Sequence, residues 1–411
     1  MYKAILIVFA GLVLVFGTSI FGYSEAASVP QRVIVTFDHV LNEQARVALA
    51  SHGQVVRDLA LINGAVVLVP SQAAVNQIGA LDGVTSVEFD TLVFALDKPA
   101  AKPGKGGGGD TTPPPAQTLE WGVDRIDADL AWGTSTGVGV NVAVIDTGID
   151  QDHPDLVANL KGGVNFVSKS PTRPADPAKW NDDNGHGTHV AGIIGAVDNS
   201  EGVVGMAHGV NLYGVKVLDR NGSGYLSDVI SGIDWAVANG MNVINMSLGS
   251  SSDSSALHDA VDAADAAGLV VVAAAGNSGD GDGTTNEVIY PAKYSSVIAV
   301  AATASDDSTP YWSSEGAEVE LAAPGVDIRS TWNDGAYNTI SGTSMASPHA
   351  AGAAALVFSV ATDINGNGSV NDEVRATLVA TADDLGIAGR DNFYGYGLTD
   401  AEEAVIGTQT N

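Results

Sequence analysis

The chain has 411 residues, with 48 Asp and Glu against 18 Lys and Arg, so its formal net charge is −30. Apolar residues make up 45% of the sequence, which excludes a disordered chain in spite of that charge. The absence of cysteine excludes disulfides, cysteine-ligated zinc and thiol catalysis, and the acidic balance argues against nucleic acid as a partner.

The N-terminus carries a targeting pattern. Lys3 is followed by an uncharged apolar run over residues 4–21, and small residues suited to cleavage follow up to Ala27. This pattern predicts a signal peptide over residues 1–27 and hence a secreted, extracellular protein without stable membrane association after cleavage. An uncleaved membrane anchor is the alternative, because the apolar run is about as long as the shortest membrane-spanning helices.

Residues 28–96 are predicted to form the first folded unit. The apolar patterns indicate, in chain order, a strand at 32–37, a helix at 42–52, a strand at 64–69, a helix at 71–81 and an extended run at 84–94. A β-α-β-β-α-β order of this kind predicts a small α+β domain of the ferredoxin-like type. Residues 97–115 are rich in glycine and proline and predict a linker, because such a composition cannot build a core.

Residues 116–411 are predicted to form a large α/β unit. Its strands are apolar runs, as expected for a parallel sheet covered on both faces, and helical patterns alternate with them. That alternation predicts a three-layer, mostly parallel, doubly wound fold. The predicted strands are 140–145, 211–217, 243–246, 270–275 and 297–301, and the predicted helices are 189–196, 227–238 and 256–267.

Polar side chains follow three of these strands, where open parallel sheets bind their ligands. Asp146, Ser247 and Asn277 stand at strand ends, while His186 and Ser344 stand at two predicted helix starts. A serine nucleophile needs an adjacent base, histidine suits that task near neutral pH, and a buried carboxylate orients the imidazole. Asp146, His186 and Ser344 can fill these three roles, and the Asn277 amide can donate to the oxyanion of a tetrahedral intermediate.

Five segments of this unit resemble the signature blocks of the subtilisin-like serine proteases, in the family's order. They are Val-Ile-Asp-Thr-Gly at 144–148, Asn-Gly-His-Gly-Thr-His-Val-Ala-Gly at 184–192, Val-Ile-Asn-Met-Ser-Leu-Gly at 243–249, Ala-Ala-Gly-Asn at 274–277 and Ser-Gly-Thr-Ser-Met-Ala-Ser-Pro-His at 341–349. The resemblance implies a secreted, monomeric serine endopeptidase acting on protein and peptide substrates. It also implies that residues 28–96 are an inhibitory and folding-assisting propeptide, so that the chain is a precursor.

The resemblance assigns roles to individual residues. It makes Asp146 the triad aspartate, His186 the base, Ser344 the nucleophile and Asn277 the oxyanion donor. It also implies two backbone edges that pair with an extended substrate, as in β-strand addition. These edges are Ser223, Gly224 and Tyr225 on one side, and Ser247, Leu248 and Gly249 on the other.

The end of the first unit predicts where the precursor is cut. By the resemblance this segment lies in the active site, with Leu96 in the primary pocket and Val93 in a second pocket beside Leu226 and Leu248. The floor of the primary pocket falls near Ile289, where many relatives have glycine. We therefore expect autocleavage after Leu96, and a preference for leucine, methionine or phenylalanine over charged residues, whose unpaired burial is costly.

Residues 197–203 resemble the family's high-affinity calcium loop, and calcium prefers carboxylate and carbonyl oxygens as ligands. Glu201 stands where most members of the family have an apolar residue, and the family's calcium ligand at that position is the backbone carbonyl. The Glu201 carboxylate is therefore an additional candidate ligand. The alternative is a polar surface loop. The implied ligands are Gln117, Asp155, Asn199 and Glu201, with the carbonyls of Val197 and Val203.

Residues 363–374 match the start of an EF-hand-type calcium loop, with oxygen-bearing residues at alternate positions. The twelfth position is Val374 and not the glutamate that closes such a loop, although Asp372 and Glu373 stand just before it. The alternative is a turn capped by Asp372 before a helix at 373–380. The candidate calcium ligands are Asp363, Asn365 and Asn367.

A binding protein and a lipase or esterase are the alternatives to an endopeptidase. A catalytically silent binding protein with the same fold is less consistent with a complete set of triad and oxyanion residues. A lipase or esterase of the α/β-hydrolase type carries its serine first in chain order, within Gly-x-Ser-x-Gly. Here the order is Asp, His, Ser and the serine lies in Gly-Thr-Ser-Met, so that function is excluded. His153, His189 and His349 are expected to be structural.

Overall fold

The computed structural model describes residues 30–96, 115–168 and 174–408. The predicted signal peptide and almost all of the predicted linker lie outside these described residues. Within them, no helix is both long and apolar enough to cross a bilayer. We call residues 30–96 the first unit and residues 115–408 the second unit.

The first unit has the predicted β-α-β-β-α-β order, although the strand at 54–59 was not among the segments predicted from the apolar patterns. Its antiparallel sheet has the strand order β2-β3-β1-β4, and Asn42 and Ser71 cap the two helices with their side chains. The predicted extended run over 84–94 is broken after residue 89, and its second part leaves the sheet. The elements are β1 (Gln31–Phe37), α1 (Glu43–Ala50), β2 (Gln54–Leu59), β3 (Gly64–Val69), α2 (Gln72–Gly79), β4 (Val84–Phe89) and β5 (Leu92–Ala95).

Alternation along β1 explains why both faces of this sheet are covered. Val33 and Val35 pack with apolar side chains of α1 and α2, whereas Ile34 joins the core formed with the second unit. Successive side chains of a strand point to opposite faces, so one face carries the unit's own helices and the other face docks on its neighbour. Val66 and Val67 of β3 divide in the same way.

The second unit is built on a seven-stranded parallel sheet with the order β14-β13-β12-β10-β6-β8-β7. The elements are α3 (Trp121–Arg125), α4 (Ala128–Ala131), β6 (Asn141–Asp146), β7 (Leu160–Asn165), α5 (His186–Gly195), β8 (Asn211–Lys216), β9 (Ser223–Tyr225), α6 (Leu226–Ala238), β10 (Val243–Met246), β11 (Leu248–Gly249), α7 (Ser255–Ala266), β12 (Val270–Ala274), β13 (Ile298–Thr303), β14 (Val319–Pro324), β15 (Ile328–Trp332), β16 (Ala336–Ile340), α8 (Thr343–Phe358), α9 (Asn371–Ala380) and α10 (Ala401–Ile406).

The predicted three-layer α/β fold is confirmed. Val142 and Val144 of β6 pack on the face that carries α5 and α8, whereas Ala143 and Ile145 pack on the face that carries α6 and α7. The five predicted strands lie within two residues of their observed bounds. Strands β7 and β14 were not predicted, because these two edge strands carry glycines, charges or a proline in place of a continuous apolar run.

Candidate active site

The residues predicted to act together lie at the carboxyl edge of the central strands, where His186 contacts Asp146 and Ser344 contacts Ser247 at the end of β10. Asp146 ends β6, His186 begins α5, and Ser344 is the second residue of α8. All three are buried, with exposures of 0%, 1% and 0%. The Nδ1 atom of His186 lies 2.8 Å and 2.9 Å from the two carboxylate oxygens of Asp146, so the carboxylate holds the imidazole in one orientation.

A glycine allows α5 to begin at His186, three residues earlier than predicted. Gly185 has a φ of 116°, and a Cβ built on it would lie 2.3 Å from the ring of Trp332. Only glycine fits a position with both a left-handed backbone and so close a neighbour. The chain therefore turns sharply there and presents the first side chain of the helix to the end of β6.

The Ser344 hydroxyl lies against the loop between β10 and β11. Its Oγ donates to the carbonyl of Ser247 over 3.0 Å, and the Ser247 hydroxyl donates back to the Ser344 carbonyl over 2.8 Å. The residue stands in the first turn of a 16-residue helix, whose positive end favours negative charge. The start of α8 thus places the Ser344 hydroxyl next to the strand edge formed by β11.

The Asn277 side chain is oriented at both ends of its amide. Its Oδ1 accepts hydrogen bonds from the backbone N–H and the hydroxyl of Thr343, both over 3.0 Å. The Nδ2 group is thereby turned toward the first unit, where it donates to the carbonyl oxygen of Leu96 over 2.7 Å. A donor held in this way suits an oxygen that gains charge during a reaction. Thr343 was not assigned a role from the sequence.

The last strand of the first unit lies in the cleft between the two predicted edges. β5 pairs antiparallel with β9 on one side and β11 on the other, so the three form a small sheet. The pairing extends past β5, because Ala95 N–H donates to the Gly222 carbonyl over 2.9 Å and Leu96 N–H donates to the Ser247 carbonyl over 3.2 Å. Gly222 was not predicted, since its contribution is backbone alone.

Val93 and Leu96 meet different surroundings. Val93 is only 1% exposed and packs with Leu226 and Leu248, whereas Leu96 is half-buried. Ile289 lies beside two glycines of the cleft: a Cβ built on Gly249 would be 2.5 Å from its Cδ1 atom. A Cβ on Gly276 would be 3.4 Å from its Cγ1 atom. The Ile289 side chain therefore fills space that a glycine would leave open.

A buried carboxylate that was not predicted supports the loop before His186. Asp182 accepts hydrogen bonds from the hydroxyls of Thr147 and Thr188, over 2.9 Å and 2.6 Å, and from backbone N–H groups of 184, 185 and 188. Burial raises the pKa of Asp182, and these hydrogen bonds oppose the rise. The acid- and amide-rich run at 181–184 was the signal in the sequence that could have indicated it.

The remaining histidines near the motifs hold backbone groups. The Nε2 atom of His189 lies 3.1 Å and 3.2 Å from the carbonyls of Ile328 and Asn338, and burial lowers its pKa to about 3. His349 contacts the carbonyl one turn earlier in α8, and burial lowers its pKa to about 4. His153 contacts the Ala336 carbonyl over 2.9 Å. These neutral imidazoles join elements to one another.

The first candidate calcium loop closes on a fully buried carboxylate. Asp155 is 0% exposed, and its oxygens accept from the Asn199 amide over 2.9 Å and from Val203 N–H over 3.0 Å. The Gln117 Oε1 atom accepts from Asn199 N–H over 2.6 Å, and Val197 N–H donates to the Asp155 carbonyl. The structure thus brings most of the predicted ligands together. It shows Glu201 pairing through its backbone with residue 116.

The second candidate loop folds around its acidic side chains. Asp363 accepts from Gly366 and Gly368 N–H groups, and the Asp372 carboxylate accepts from the amides of Asn365 and Asn367. The expectation that Asp372 caps the following helix is wrong: α9 begins at residue 371, and Val370 is its N-cap. That carboxylate is turned back into the loop instead, because the loop's amide donors lie on that side.

Comparison with known proteins gives consistent results. The Subtilase family model matches residues 137–397, more than half of the chain. Subtilisin DY of Bacillus licheniformis is 49% identical over 292 residues, which cover 70% of this chain and 99% of that protein. Subtilisin E of Bacillus subtilis (strain 168) is 47% identical over 290 residues, covering 70% and 72%. Subtilisin Savinase of Lederbergia lenta is 46% identical over 290 residues, covering 70% and 99%.

These matches extend over most of the second unit, whose seven-stranded sheet and layered helices have the architecture expected for the family. The relatives are similar over nearly their full length or over about three quarters of it, so the likeness is not confined to short motifs. The chain therefore belongs to the subtilase family and is a serine endopeptidase.

Proposed function

We propose that the chain is the precursor of a secreted, calcium-stabilised endopeptidase that cuts itself after Leu96. Asp146, His186 and Ser344 form its catalytic triad. The observation that carries this proposal is the hydrogen bond of 2.7 Å from Asn277 Nδ2 to the Leu96 carbonyl, at the end of a strand paired on both sides like a substrate. Residues 28–96 would then be the propeptide, and the enzyme would begin at Asp97.

The proposed chemistry assigns each of these groups one step. The Ser344 Oγ attacks the carbonyl carbon of Leu96 while His186 takes the hydroxyl proton, and Asp146 stabilises the resulting imidazolium. The carbonyl oxygen becomes an oxyanion, to which Asn277 Nδ2 already donates. When the tetrahedral intermediate collapses, the bond to Asp97 breaks and His186 returns the proton to the leaving amine. Water then hydrolyses the acyl-enzyme by the same steps, giving a carboxylic acid and a free amine.

The same contacts explain inhibition by the first unit after the cut. The paired strand and the buried Val93 keep the cleaved end in the cleft, so other polypeptides are excluded until the first unit leaves. Protein and peptide substrates would enter as extended strands along β9 and β11, where main-chain hydrogen bonds give affinity and pockets give specificity.

The proposal is tested by the size and N-terminus of the secreted protein. The full chain should yield a product that begins at Asp97, whereas Ser344→Ala should remain uncut and hydrolyse no peptide substrate. Ser341→Ala is the matched control, since that hydroxyl contacts Asp327 and lies outside the proposed triad. Normal processing of the Ser344→Ala chain, or a product that begins far from Asp97, would contradict the assignment.

We also propose that the two acidic loops hold calcium. In the first loop the oxygen donors belong to Gln117, Asp155, Asn199 and Glu201 and to the backbone of 197–203, a purely oxygen set that suits a hard cation. The Asp155 carboxylate is 0% exposed, and within the described residues no basic side chain forms an ion pair with it. A bound cation would compensate that buried charge.

The second loop fits the same ion through a different set of donors. Asp363, Asn365 and Asn367 supply oxygens at alternate positions, and the acids at 372 and 373 are both turned toward the loop. In the described part of the chain the Glu373 Oε2 atom is buried without a hydrogen-bond partner, which an ion would provide. Calcium bound at either loop would stabilise the native state, and it takes no part in bond cleavage.

A further inference from the structure

A buried cluster of ion pairs joins the two units outside the cleft. Arg57 of β2 donates to the Asp228 carboxylate over 2.9 Å, to the Ser231 hydroxyl over 2.9 Å and to the Phe166 carbonyl over 3.0 Å. All three acceptors belong to the second unit, and the guanidinium also lies 5.3 Å from the centre of the Phe166 ring. The second unit thus carries a complete binding site for a guanidinium group.

A second guanidinium lies beside the first. Arg32 of β1 lies over the Tyr225 ring at 4.3 Å, and its nitrogens reach the Ser227 hydroxyl at 2.6 Å and the Asp228 carboxylate at 3.7 Å. Its Nε atom also donates to Asp90 over 2.6 Å. Both basic side chains that contact Asp228 therefore come from the first unit, and they leave with it when the first unit is removed.

The site lies on the path of a bound polypeptide. Upstream of β5, the Thr91 carbonyl accepts from Leu226 N–H over 2.9 Å, and the Asp90 carboxylate accepts from Ser227 N–H over 2.9 Å. Counting Leu96 as the first residue before the scissile bond, Asp90 is the seventh. A polypeptide bound in the same way places its seventh residue at the start of α6, whose third residue is Asp228.

We propose that Asp228, the Ser227 hydroxyl and the Tyr225 ring, which surround the Arg32 guanidinium beside Asp90, form an arginine-binding exosite of the processed enzyme. It favours polypeptide substrates with arginine at the seventh position before the scissile bond. This inference rests on the proposed processing after Leu96. An arginine at the seventh position has a longer side chain than the aspartate that the precursor carries there. In the precursor, Asp90 holds the Arg32 guanidinium, which lies 3.7 Å from the Asp228 carboxylate.

The charge of the enzyme favours the same ligand. From Asp97 onward the chain has 41 acidic and 14 basic residues, a net charge of −27, because residues 1–96 account for 7 of the 48 acids and 4 of the 18 bases. Under the first unit, burial raises the pKa of Asp228 to about 6, although Arg57 and Arg32 oppose that rise. Removal of the first unit takes away the two arginines that contact the Asp228 carboxylate.

The experiment uses processed enzyme, produced from the full chain, and fluorogenic peptides with the sequence of residues 90–96. The seventh position carries arginine or alanine. We expect kcat/KM for the arginine peptide to exceed that for the alanine peptide by roughly fivefold at low ionic strength, as for a partly buried ion pair. Added salt should reduce the difference.

Two variants locate the effect. In Asp228→Asn the ratio between the arginine and alanine peptides should fall to about one, whereas Asp124→Asn, which removes an exposed charge from α3, should retain it. Equal kcat/KM for the two peptides in the unmodified enzyme, or a ratio that survives Asp228→Asn, would overturn the exosite. If no peptide of the series is cleaved, the proposed function itself fails, which is a different result.

Discussion

Asn277, the proposed oxyanion donor, shows how the orientation of one side chain depends on its neighbour. Asn277 can present Nδ2 to the Leu96 carbonyl because Thr343 supplies two donors to the other end of the amide. The backbone before it is equally constrained, since Gly276 has a φ of 123° and a Cβ there would lie 2.7 Å from the Ser314 hydroxyl. The asparagine is therefore positioned by packing before any substrate binds.

Replacement of Asn277 by alanine should lower kcat and leave KM nearly unchanged, because the lost hydrogen bond strengthens only as charge develops. We expect kcat to fall by roughly 10²–10³-fold, which is the loss known for subtilisin when this kind of donor is removed. Steady-state kinetics on a leucine peptide would measure it, with the melting temperature as the check on folding. A kcat within twofold of the unmodified enzyme would show that Asn277 is not the donor.

Ile289 is the residue that should limit the primary pocket. Its side chain lies against Gly249 and Gly276, and Leu96, which is predicted to occupy this pocket, is half-buried. In Ile289→Ala the pocket should deepen, so kcat/KM for a phenylalanine peptide should rise by roughly tenfold relative to an alanine peptide, since burying an aromatic side chain is strongly favourable. Ile387→Ala, at a 73% exposed position, is the control. An unchanged ratio would place the pocket floor elsewhere.

At the scale of elements, the first unit docks by supplying carboxylates to two helices. Asp90 accepts from Ser227 N–H in the first turn of α6, and Glu88 accepts from Ala256 N–H over 3.1 Å in the first turn of α7. The first N–H groups of a helix have no partner within it, and they are stabilised by negative charge. The sheet face that carries Ile34 and Val66 covers the same helices.

Removal of these carboxylates should weaken docking and hasten the appearance of activity. Each helix cap contributes about 1 kcal/mol, so Glu88→Ala should release the first unit roughly fivefold more readily, and combination with Asp90→Ala should add to this. The measurement is the lag before full-length protein hydrolyses a peptide substrate after refolding. Glu43→Ala, an exposed acid in the first turn of α1, should keep the original lag. A lag unaffected by Glu88→Ala and Asp90→Ala would contradict the docking role.

For the whole molecule, we expect the excess of acidic residues to make the native state dependent on cations. Self-repulsion at a net charge of −30 disfavours compact states, and a cation that binds only the folded chain stabilises it by mass action. The first loop joins segments that are distant in sequence, near residues 117, 155 and 199. Its occupancy should therefore affect the stability of the whole second unit.

Chelation of calcium should lower the melting temperature of the uncut Ser344→Ala chain by roughly 3–4 °C. This value assumes a free calcium concentration of about 100 times the dissociation constant, and it uses the unfolding entropy of a chain of this size. Asp155→Asn should remove most of the response, whereas Asp363→Asn should remove only the part due to the second loop. Asp384→Asn, at an exposed position outside both loops, is the control. A melting curve unaffected by excess chelator would exclude calcium from both loops.

The sequence by itself determined the α/β class, the strands at the sheet centre and the residues that we propose carry the chemistry. Central strands are continuous apolar runs, and Asp146, His186 and Ser344 lie in distinctive local motifs, so both can be predicted without contacts. Only the tertiary structure decided what depends on pairing between distant segments. This holds for the edge strands, for the buried Asp182, and for the Arg57 and Asp228 pair, which lie 171 residues apart. Such contacts leave no periodic pattern in the sequence, because each partner alone is an ordinary charged residue.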